Sequence, residues 1–150
     1  MPTDLDPTDR HILALLQAAG RTSYQELGDA VGLSGPAAYQ RVRKLEAAGV
    51  ITGYHARVAP EGIGHAVVAF IWVRPGQGTD VRRLIAGWTA SSEVLECHRV
   101  TGPDGYLLKL RVGSVSELDA YLEAVRKAGC LAEAHVGLRT VFERWILPAE

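Results

Sequence analysis

The chain is poor in the features that mark several specialised classes of protein. It has two cysteines, Cys97 and Cys130, whose positions give neither a disulfide framework nor the ligand spacing of a zinc site. No apolar run reaches the roughly 18 residues that a membrane helix needs, and the first residues lack the basic start and apolar stretch of a signal peptide. These absences predict a cytoplasmic protein that has no membrane partner and does not depend on disulfides.

A strong net charge is also missing. The chain has 16 lysines and arginines against 17 aspartates and glutamates, a formal net charge of -1 at pH 7. Over the whole chain this balance argues against a nucleic-acid partner. However, three of the acids lie within the first ten residues, and residues 39–57 carry a local net charge of +3. That value comes from Arg41, Arg43, Lys44 and Arg57 against Glu46. The distribution of charge therefore leaves DNA binding open.

What the chain does have is a composition typical of globular domains, 47% apolar and 22% charged. Its first third predicts three short helices, because apolar residues recur at helical spacing between capping and stop signals. Asp6 can cap the first helix, Ser23 and Glu26 form a capping box at the second, and Ser34 precedes the third. Val50–His55 then predicts a short strand, a turn and a second strand.

The remaining two thirds alternate between strand and helix patterns. Thr79 can cap a helix after the first strand, and Ser114 and Glu117 form a capping-box pattern after the third. The order strand, helix, strand, strand, helix, strand predicts an antiparallel ferredoxin-like sheet with both helices on one face. The predicted strands cover residues 66–73, 94–101, 106–112 and 134–142.

We therefore expect an α+β protein made of an N-terminal winged helix-turn-helix and a C-terminal ferredoxin-like βαββαβ domain. The first domain should cover residues 1–57 and the second residues 65–150. Residues 58–64, where prolines and glycines cluster, should form the linker between them.

The third helix is a candidate for reading DNA. Its apolar positions, Ala38, Val42 and Leu45, must face a small core. The opposite side then carries Pro36, Tyr39, Gln40 and Arg43. The major groove admits one helix, and Arg or Gln side chains there can pair with base edges. Ser34 and the free N–H groups at the helix start suit a phosphate contact. A solvated basic helix face would give the same pattern, so the residues alone leave both interpretations open.

Two sets of motifs resemble the Lrp/AsnC, or feast/famine, family of transcription regulators. The DNA-binding half of that family is similar to Thr22–Gly28, Val31–Ser34 and Arg41–Tyr54, in this order and spacing. The hairpin of its regulatory domain is similar to Glu96–Gly102 followed by Tyr106–Leu108. The resemblance covers nearly the whole chain. It implies a winged helix-turn-helix that binds double-stranded operator DNA and a ferredoxin-like regulatory domain that forms homodimers, often assembled further to octamers.

The resemblance also assigns site residues on the third helix. Those expected to contact DNA are Ser34, Pro36, Tyr39, Gln40, Arg43 and Lys44. Where the family commonly has Ser-Pro at the helix start, this chain has Ser34-Gly35, with proline one place later.

A second site is implied at the loop Thr101–Tyr106, because the family binds small effectors, typically amino acids, at contacts between regulatory domains. Backbone N–H groups around a glycine can hold a carboxylate, and a nearby aspartate could pair with an ammonium group. The effector-binding candidates are His98, Thr101, Gly102, Asp104 and, on the last predicted strand, Thr140. Residues 103–105 also have the composition of a simple tight turn, and this alternative stays open.

No catalytic constellation is recognisable. The five histidines lack metal-ligand spacing, no Ser-His-Asp order stands out, and no GxGxxG or P-loop string occurs. We therefore predict no enzymatic activity, no cofactor and no metal. Two alternatives use the same architecture. One is a metabolite-sensing protein whose helix-turn-helix has lost DNA binding, which Gly35 would favour. The other is a protein like the haem-biosynthetic decarboxylases in which Lrp/AsnC-like domains also occur.

Overall fold

The computed structural model of the chain describes residues 4–103 and 105–148. Their contacts divide the chain into two compact units. The helical unit contains the described residues up to Arg57 together with those from Phe142 onward, and the sheet unit is Val58–Val141. This division assigns the segment after Val141 to the helical unit. The functional limits expected from the sequence, 1–57, 58–64 and 65–150, stay predictions.

The helical unit contains a helix-turn-helix, as predicted. Its helices are α1 (Pro7–Ala18), α2 (Tyr24–Val31) and α3 (Gly35–Ala47). The predicted caps are confirmed, because Asp6 accepts the Asp9 N–H at 2.8 Å and Ser23 forms a reciprocal capping box with Glu26. The buried core of this unit consists of Ile12, Leu27, Ala38, Val42 and Leu45.

The predicted pair of short strands at Val50–His55 is wrong. The structure assigns no strand to these residues. The N–H groups of Val50 and Ile51 instead donate back to the Leu45 carbonyl, at 3.0 and 3.2 Å, and so complete the end of α3. Their side chains pack, partly buried, against the helical core. The apolar β-branched pair that predicted a strand therefore serves to cover the helices.

The sheet unit has the predicted ferredoxin-like order. After a 3-10 turn at Pro60–Ile63, its elements are β1 (Val67–Pro75), α4 (Val81–Ala90), β2 (Val94–Arg99), β3 (Tyr106–Val112), α5 (Val115–Lys127) and β4 (Cys130–Gly137). The four strands form one antiparallel sheet in the order β2-β3-β1-β4.

Both helices of this unit pack on one face of the sheet. Alternate residues of β1, Ala69, Ile71 and Val73, are fully buried in a core that also contains Trp88 of α4 and Leu118 of α5. Successive strand residues point to opposite faces, so the residues between them in β1 lie on the face that carries no helix. We call this second surface the outer face of the sheet.

Three predicted boundaries in the sheet unit are wrong, at the start of α4, at β4 and at the end of β2. Thr79 does not cap α4, because the Asp80 side chain accepts the Arg83 N–H at 3.1 Å and the Thr79 hydroxyl donates to the Gly129 carbonyl. The sequence spacing allows either Thr79 or Asp80 to cap α4, and only the packing of the loop determines which of them does so.

The fourth strand was predicted over residues 134–142 but occupies Cys130–Gly137. Its pairing with β1 runs from Cys130 opposite Pro75 to Gly137 opposite Val68, so β4 ends where β1 begins. Thr140 therefore follows the strand instead of lying on it. β2 likewise ends at Arg99, two residues before its predicted end.

Candidate functional site

The turn between α2 and α3 depends on close backbone packing. A Cβ on Gly28 would lie 2.6 Å from the Leu33 carbonyl oxygen, and one on Gly35 would lie 2.9 Å from Gln25 Oε1. At residue 28 the neighbour is backbone, so only glycine fits without a shift of the chain, whereas the flexible end of Gln25 can move away from residue 35. The Ser34 hydroxyl accepts the Ala37 N–H at 3.3 Å, so α3 begins at Gly35 with a serine cap. The replacement of proline by Gly35 is compatible with a regular helix start.

The six residues expected to contact DNA share one property, which is exposure. They are Ser34, Pro36, Tyr39, Gln40, Arg43 and Lys44. The residues of α3 that face the core, Ala38, Val42 and Leu45, are almost completely buried. The structure thus brings the six together on the exposed side of one helix, and we call this side the α3 surface.

Arg41 does not belong to the α3 surface, although it contributes to the local charge counted from the sequence. Its guanidinium contacts Asp6 at 2.6 Å and Asp9 at 2.8 Å, and Asp9 is only 4% exposed. The N–H of Asp9 and the guanidinium together hold the pKa of Asp6 below its usual value. Arg41 therefore ties α3 to the start of α1, and the local +3 overstates the charge available to DNA.

Arg43 is held by Glu46, which is itself bound by Tyr54. Its Nη1 lies 2.8 Å from Glu46 Oε2, and the Tyr54 hydroxyl donates to Glu46 Oε1 at 3.0 Å. The hydrogen bond to Glu46 raises the pKa of Arg43. Burial, followed by the Glu46 carboxylate, raises the pKa of Tyr54 to about 12. A tyrosine eight residues beyond a glutamate gives no recognisable sequence signal, so only the fold reveals this contact.

Tyr39 is also held by a neighbour. Its ring packs edge-on against Tyr24 of α2, with ring centroids 5.1 Å apart and an interplanar angle of 80°. Edge-to-face contacts of this kind are favourable because the positive ring edge meets the negative ring face. Both rings are partly exposed. The α3 surface therefore presents an aromatic side chain of restricted orientation beside its polar ones.

The effector candidates of the sheet unit are more scattered. His98 lies near the end of β2, where it contacts Glu96 at 3.0 Å, and Glu96 also binds Lys109 at 2.9 Å. Thr101 and Gly102 lie in the loop that follows. Asp104 lies outside the described residues, and Thr140 follows β4.

One residue that the sequence analysis missed supports the loop. Arg74, on β1, donates from Nε to the Pro103 carbonyl at 2.7 Å. At the base of the loop, the Val100 N–H donates to the Gly105 carbonyl at 2.9 Å. Arg74 also lines a shallow cavity of about 300 Å³ together with Trp72, Leu131 and Glu133. A side chain on β1 thus connects the candidate loop to the sheet.

The outer face of the sheet combines aromatic and charged groups. Phe70 and Trp72 lie near its middle, and the charged side chains beside them are Glu96, Lys109, Arg111 and Glu133. A second groove, of about 580 Å³, lies between α4 and α5, where burial raises the pKa of Tyr121 to about 12. In the part of the chain that the structure describes, no cluster of His, Cys, Asp and Glu could hold a metal ion. No helix in that part is long and apolar enough to span a bilayer.

Comparison with family models assigns each unit to a known domain type. Residues 5–46 match the AsnC-type helix-turn-helix domain, and residues 68–143 match the Lrp/AsnC ligand binding domain.

Comparison with individual proteins gives the same result. The uncharacterized HTH-type transcriptional regulator YezC of Bacillus subtilis is 42% identical over 119 residues, which are 79% of this chain and 84% of YezC. The leucine-responsive regulatory protein of Salmonella typhimurium is 41% identical over 115 residues, 75% of this chain and 70% of that protein. A transcriptional regulator from Neisseria meningitidis, solved in complex with L-methionine, superposes with a TM-score of 0.89 at 30% identity and 96% coverage of both chains.

Proposed function

Because the chain belongs to the Lrp/AsnC family, and is therefore an effector-modulated, DNA-binding transcriptional regulator, we propose that the α3 surface reads its operator. The contact residues in this proposal are Ser34, Pro36, Tyr39, Gln40, Arg43 and Lys44. The observation that carries it is their joint exposure on one side of α3, opposite the buried Ala38, Val42 and Leu45.

Each residue type on the α3 surface suits a part of the duplex. Ser34 and the N–H groups at the start of α3 suit a phosphate, and Lys44 adds a point charge. Gln40 has the amide donor and acceptor that pair with an adenine edge, and Arg43 has the donors that pair with a guanine edge. The ring of Tyr39 offers apolar contact to bases. The arrangement therefore separates groups that position the helix from groups that select a sequence.

The test is a salt series on a duplex selected from a random library, compared with random DNA. We expect wild-type affinity to fall with salt and to exceed that for random DNA. Arg43→Ala should lose much of the difference in affinity between the selected duplex and random DNA. The control is Arg82→Ala, which removes the same charge from an exposed position on α4 of the sheet unit, and it should keep that difference. Salt-independent binding, or equal affinity for both duplexes, would sink the proposal.

We further propose that the chain forms a homodimer through the outer face of the sheet, with assembly up to an octamer built from such dimers. The partly exposed aromatic residues Phe70 and Trp72 support this choice. A two-fold pair of α3 helices would then read a pseudo-palindromic site, and linkage of two weak contacts raises affinity. Phe70→Glu should lower the mass measured by light scattering, whereas Ile85→Glu, on exposed α4, should not. An unchanged mass for Phe70→Glu would contradict this interface.

For the effector we propose a free amino acid bound at the loop after β2, with His98, Thr101, Gly102, Asp104 and Thr140 as candidates. The methionine complex of the Neisseria regulator and the leucine response in the name of the Salmonella protein support this class. A thermal-shift screen of amino acids tests it, since binding to the native state raises the unfolding temperature. A flat response across the panel would favour a simple turn at residues 103–105.

We propose no catalytic role and a cytoplasmic location. Support comes from the relatives named above, which are transcriptional regulators, and such proteins work where the DNA is. Absorbance after incubation with an iron tetrapyrrole tests the decarboxylase alternative directly. A stoichiometric bound chromophore would require this assignment to be withdrawn.

A further inference from the structure

Arg43 is the end of a chain of two hydrogen bonds that begins at Tyr54 and passes through Glu46. The ring of Tyr54 lies near Gly20, two residues beyond the end of α1, since a Cβ added to Gly20 would be 3.9 Å from Tyr54 Cδ1. The Tyr54 hydroxyl binds one carboxylate oxygen of Glu46, and Arg43 binds the other. The two oxygens therefore have different partners, and the carboxylate cannot turn without breaking one of these bonds.

We propose that Glu46 and Tyr54 are positioning residues that orient Arg43 on the α3 surface and so set the base preference of the helix. The inference rests on the proposed function, because it assumes that Arg43 contacts a base pair. It adds two residues outside the predicted contact set. Glu46 acts directly on the guanidinium, and Tyr54 acts through Glu46.

The geometry favours orientation over stability as the purpose of these contacts. The Arg43 side chain is 61% exposed, and an exposed ion pair of this kind contributes little to folding. A guanidinium has five N–H donors in a rigid fork. The contact to Glu46 uses one nitrogen, Nη1, which leaves donors on the rest of the fork for the paired acceptors on a guanine edge. Holding the fork before DNA arrives reduces the conformational freedom that binding removes.

The same carboxylate also weakens indiscriminate attraction to phosphates. Glu46 places a negative charge 2.8 Å from the cation that would otherwise be drawn to any duplex. Unlike phosphate attraction, base contacts depend on direction. An arginine that is paired with a carboxylate and held in one orientation therefore strengthens binding to a matching base pair more than binding to random DNA. A mobile, unpaired arginine would strengthen binding to both.

The experiment measures base preference at each operator position by selection from a random duplex library, using the full-length protein. Arg43→Ala first identifies the base pair that depends on Arg43. Glu46→Gln should then reduce the base preference at that pair by about tenfold. For random DNA, the slope of log affinity against log salt concentration should become steeper by about one unit. Tyr54→Phe, which leaves the charge unchanged, should reduce the same preference without altering the slope. The double variant should lose no more than Glu46→Gln alone, because both act through one guanidinium.

The matched control is Glu123→Gln, which breaks an exposed ion pair with Lys127 on α5 and changes the net charge equally. It should keep the wild-type base preference. If either Glu46→Gln or Tyr54→Phe keeps that preference, or if the control loses it, the inference is wrong while the proposed function stands. If Arg43→Ala itself changes no base preference, the assignment of Arg43 to the DNA contact fails as well. Thermal unfolding of each variant shows that it is folded in the assay.

Discussion

The helical unit and the sheet unit differ in what fixes their candidate functional residues. At α3, one candidate, Ser34, caps the helix and the other five lie on it, and the buried residues of the helix determine which side those five face. In the sheet unit, the candidates lie near the end of β2, in the loop that follows and beyond the end of β4. The periodicity of a core can therefore determine which helix residues form a candidate DNA-binding surface, whereas a candidate effector site in loops depends on contacts that no periodicity encodes.

The largest expected effect comes from breaking the core that orients α3. Leu27 is completely buried, and Leu27→Ala should lower the free energy of unfolding by about 2–5 kcal/mol, because it removes apolar contacts and leaves a cavity. Denaturant unfolding measures this change. Leu138→Ala makes the same substitution at a side chain that is 98% exposed, and it should change stability by less than about 0.5 kcal/mol. Equal losses would mean that burial does not govern the two sites.

Features that depend on neighbouring residues could be predicted from the sequence, whereas features that depend on distant residues could not. Caps are local, so Asp6 and Ser23 were predicted correctly from their immediate neighbours. The exposed side of α3 followed from the spacing of Ala38, Val42 and Leu45. The contact of Arg41 with Asp6 and Asp9 could not be predicted, because it joins residues more than 30 positions apart.

The errors in the predicted strands, which fall in both units, have a related cause. The apolar residues after β4 extended the predicted strand to residue 142, but the length of β4 is set by its partner β1. Likewise, Val50 and Ile51 have strand-forming side chains, yet they cap α3 and cover its core. The supporting contact from Arg74 to Pro103 joins the end of β1 to the loop between β2 and β3, which only the sheet register brings together. In each of these three cases, contacts between residues from different elements determine the structure.

The second prediction concerns the close approach of α2 to the turn. Gly28→Ala places a methyl group 2.6 Å from the Leu33 carbonyl oxygen, and the strain should cost about 1–3 kcal/mol. Denaturant unfolding again gives the change. Gly62→Ala is the control, because a Cβ there meets nothing within 4 Å. A Gly28 variant as stable as the Gly62 variant would show that the turn yields without cost.

The third prediction separates the two arginines of α3. Arg41→Ala leaves the nearly buried Asp9 without its ion pair and should destabilise the fold by about 1–3 kcal/mol. Arg43→Ala should change stability much less and act on DNA binding instead. The pKa of Asp6 is held below its usual value of 3.8, so its interaction with Arg41 stabilises the fold above that pH and is lost as the pH falls further.

Denaturant unfolding at several pH values therefore tests the Arg41 contact in two ways. The stability difference between wild type and Arg41→Ala should be full near neutral pH and should shrink as the pH falls through the lowered pKa of Asp6. A difference that grows on acidification, or an Arg43→Ala variant that is equally destabilised, would show that the two arginines have been assigned the wrong roles.

The smallest effect on stability is expected in the effector loop. Thr101 is exposed, so Thr101→Val should change the free energy of unfolding by less than about 0.5 kcal/mol. It should nevertheless reduce the increase in unfolding temperature that an amino-acid effector gives to the wild type. Thr89→Val, on α4, removes a hydroxyl that donates to the Ile85 carbonyl and should keep the full increase. A Thr101 variant that responds like wild type would remove this residue from the effector site.

Photo-crosslinking to DNA identifies directly which unit of the protein touches the duplex. A selected operator with 5-iodouracil in place of thymine is irradiated with the full-length protein, and the crosslinked peptides are identified by mass spectrometry. The α3 surface should supply the crosslinks, with Tyr39 as the main acceptor because its partly exposed ring packs on Tyr24 and faces away from the core. Crosslinks confined to Val58–Val141 would contradict the account.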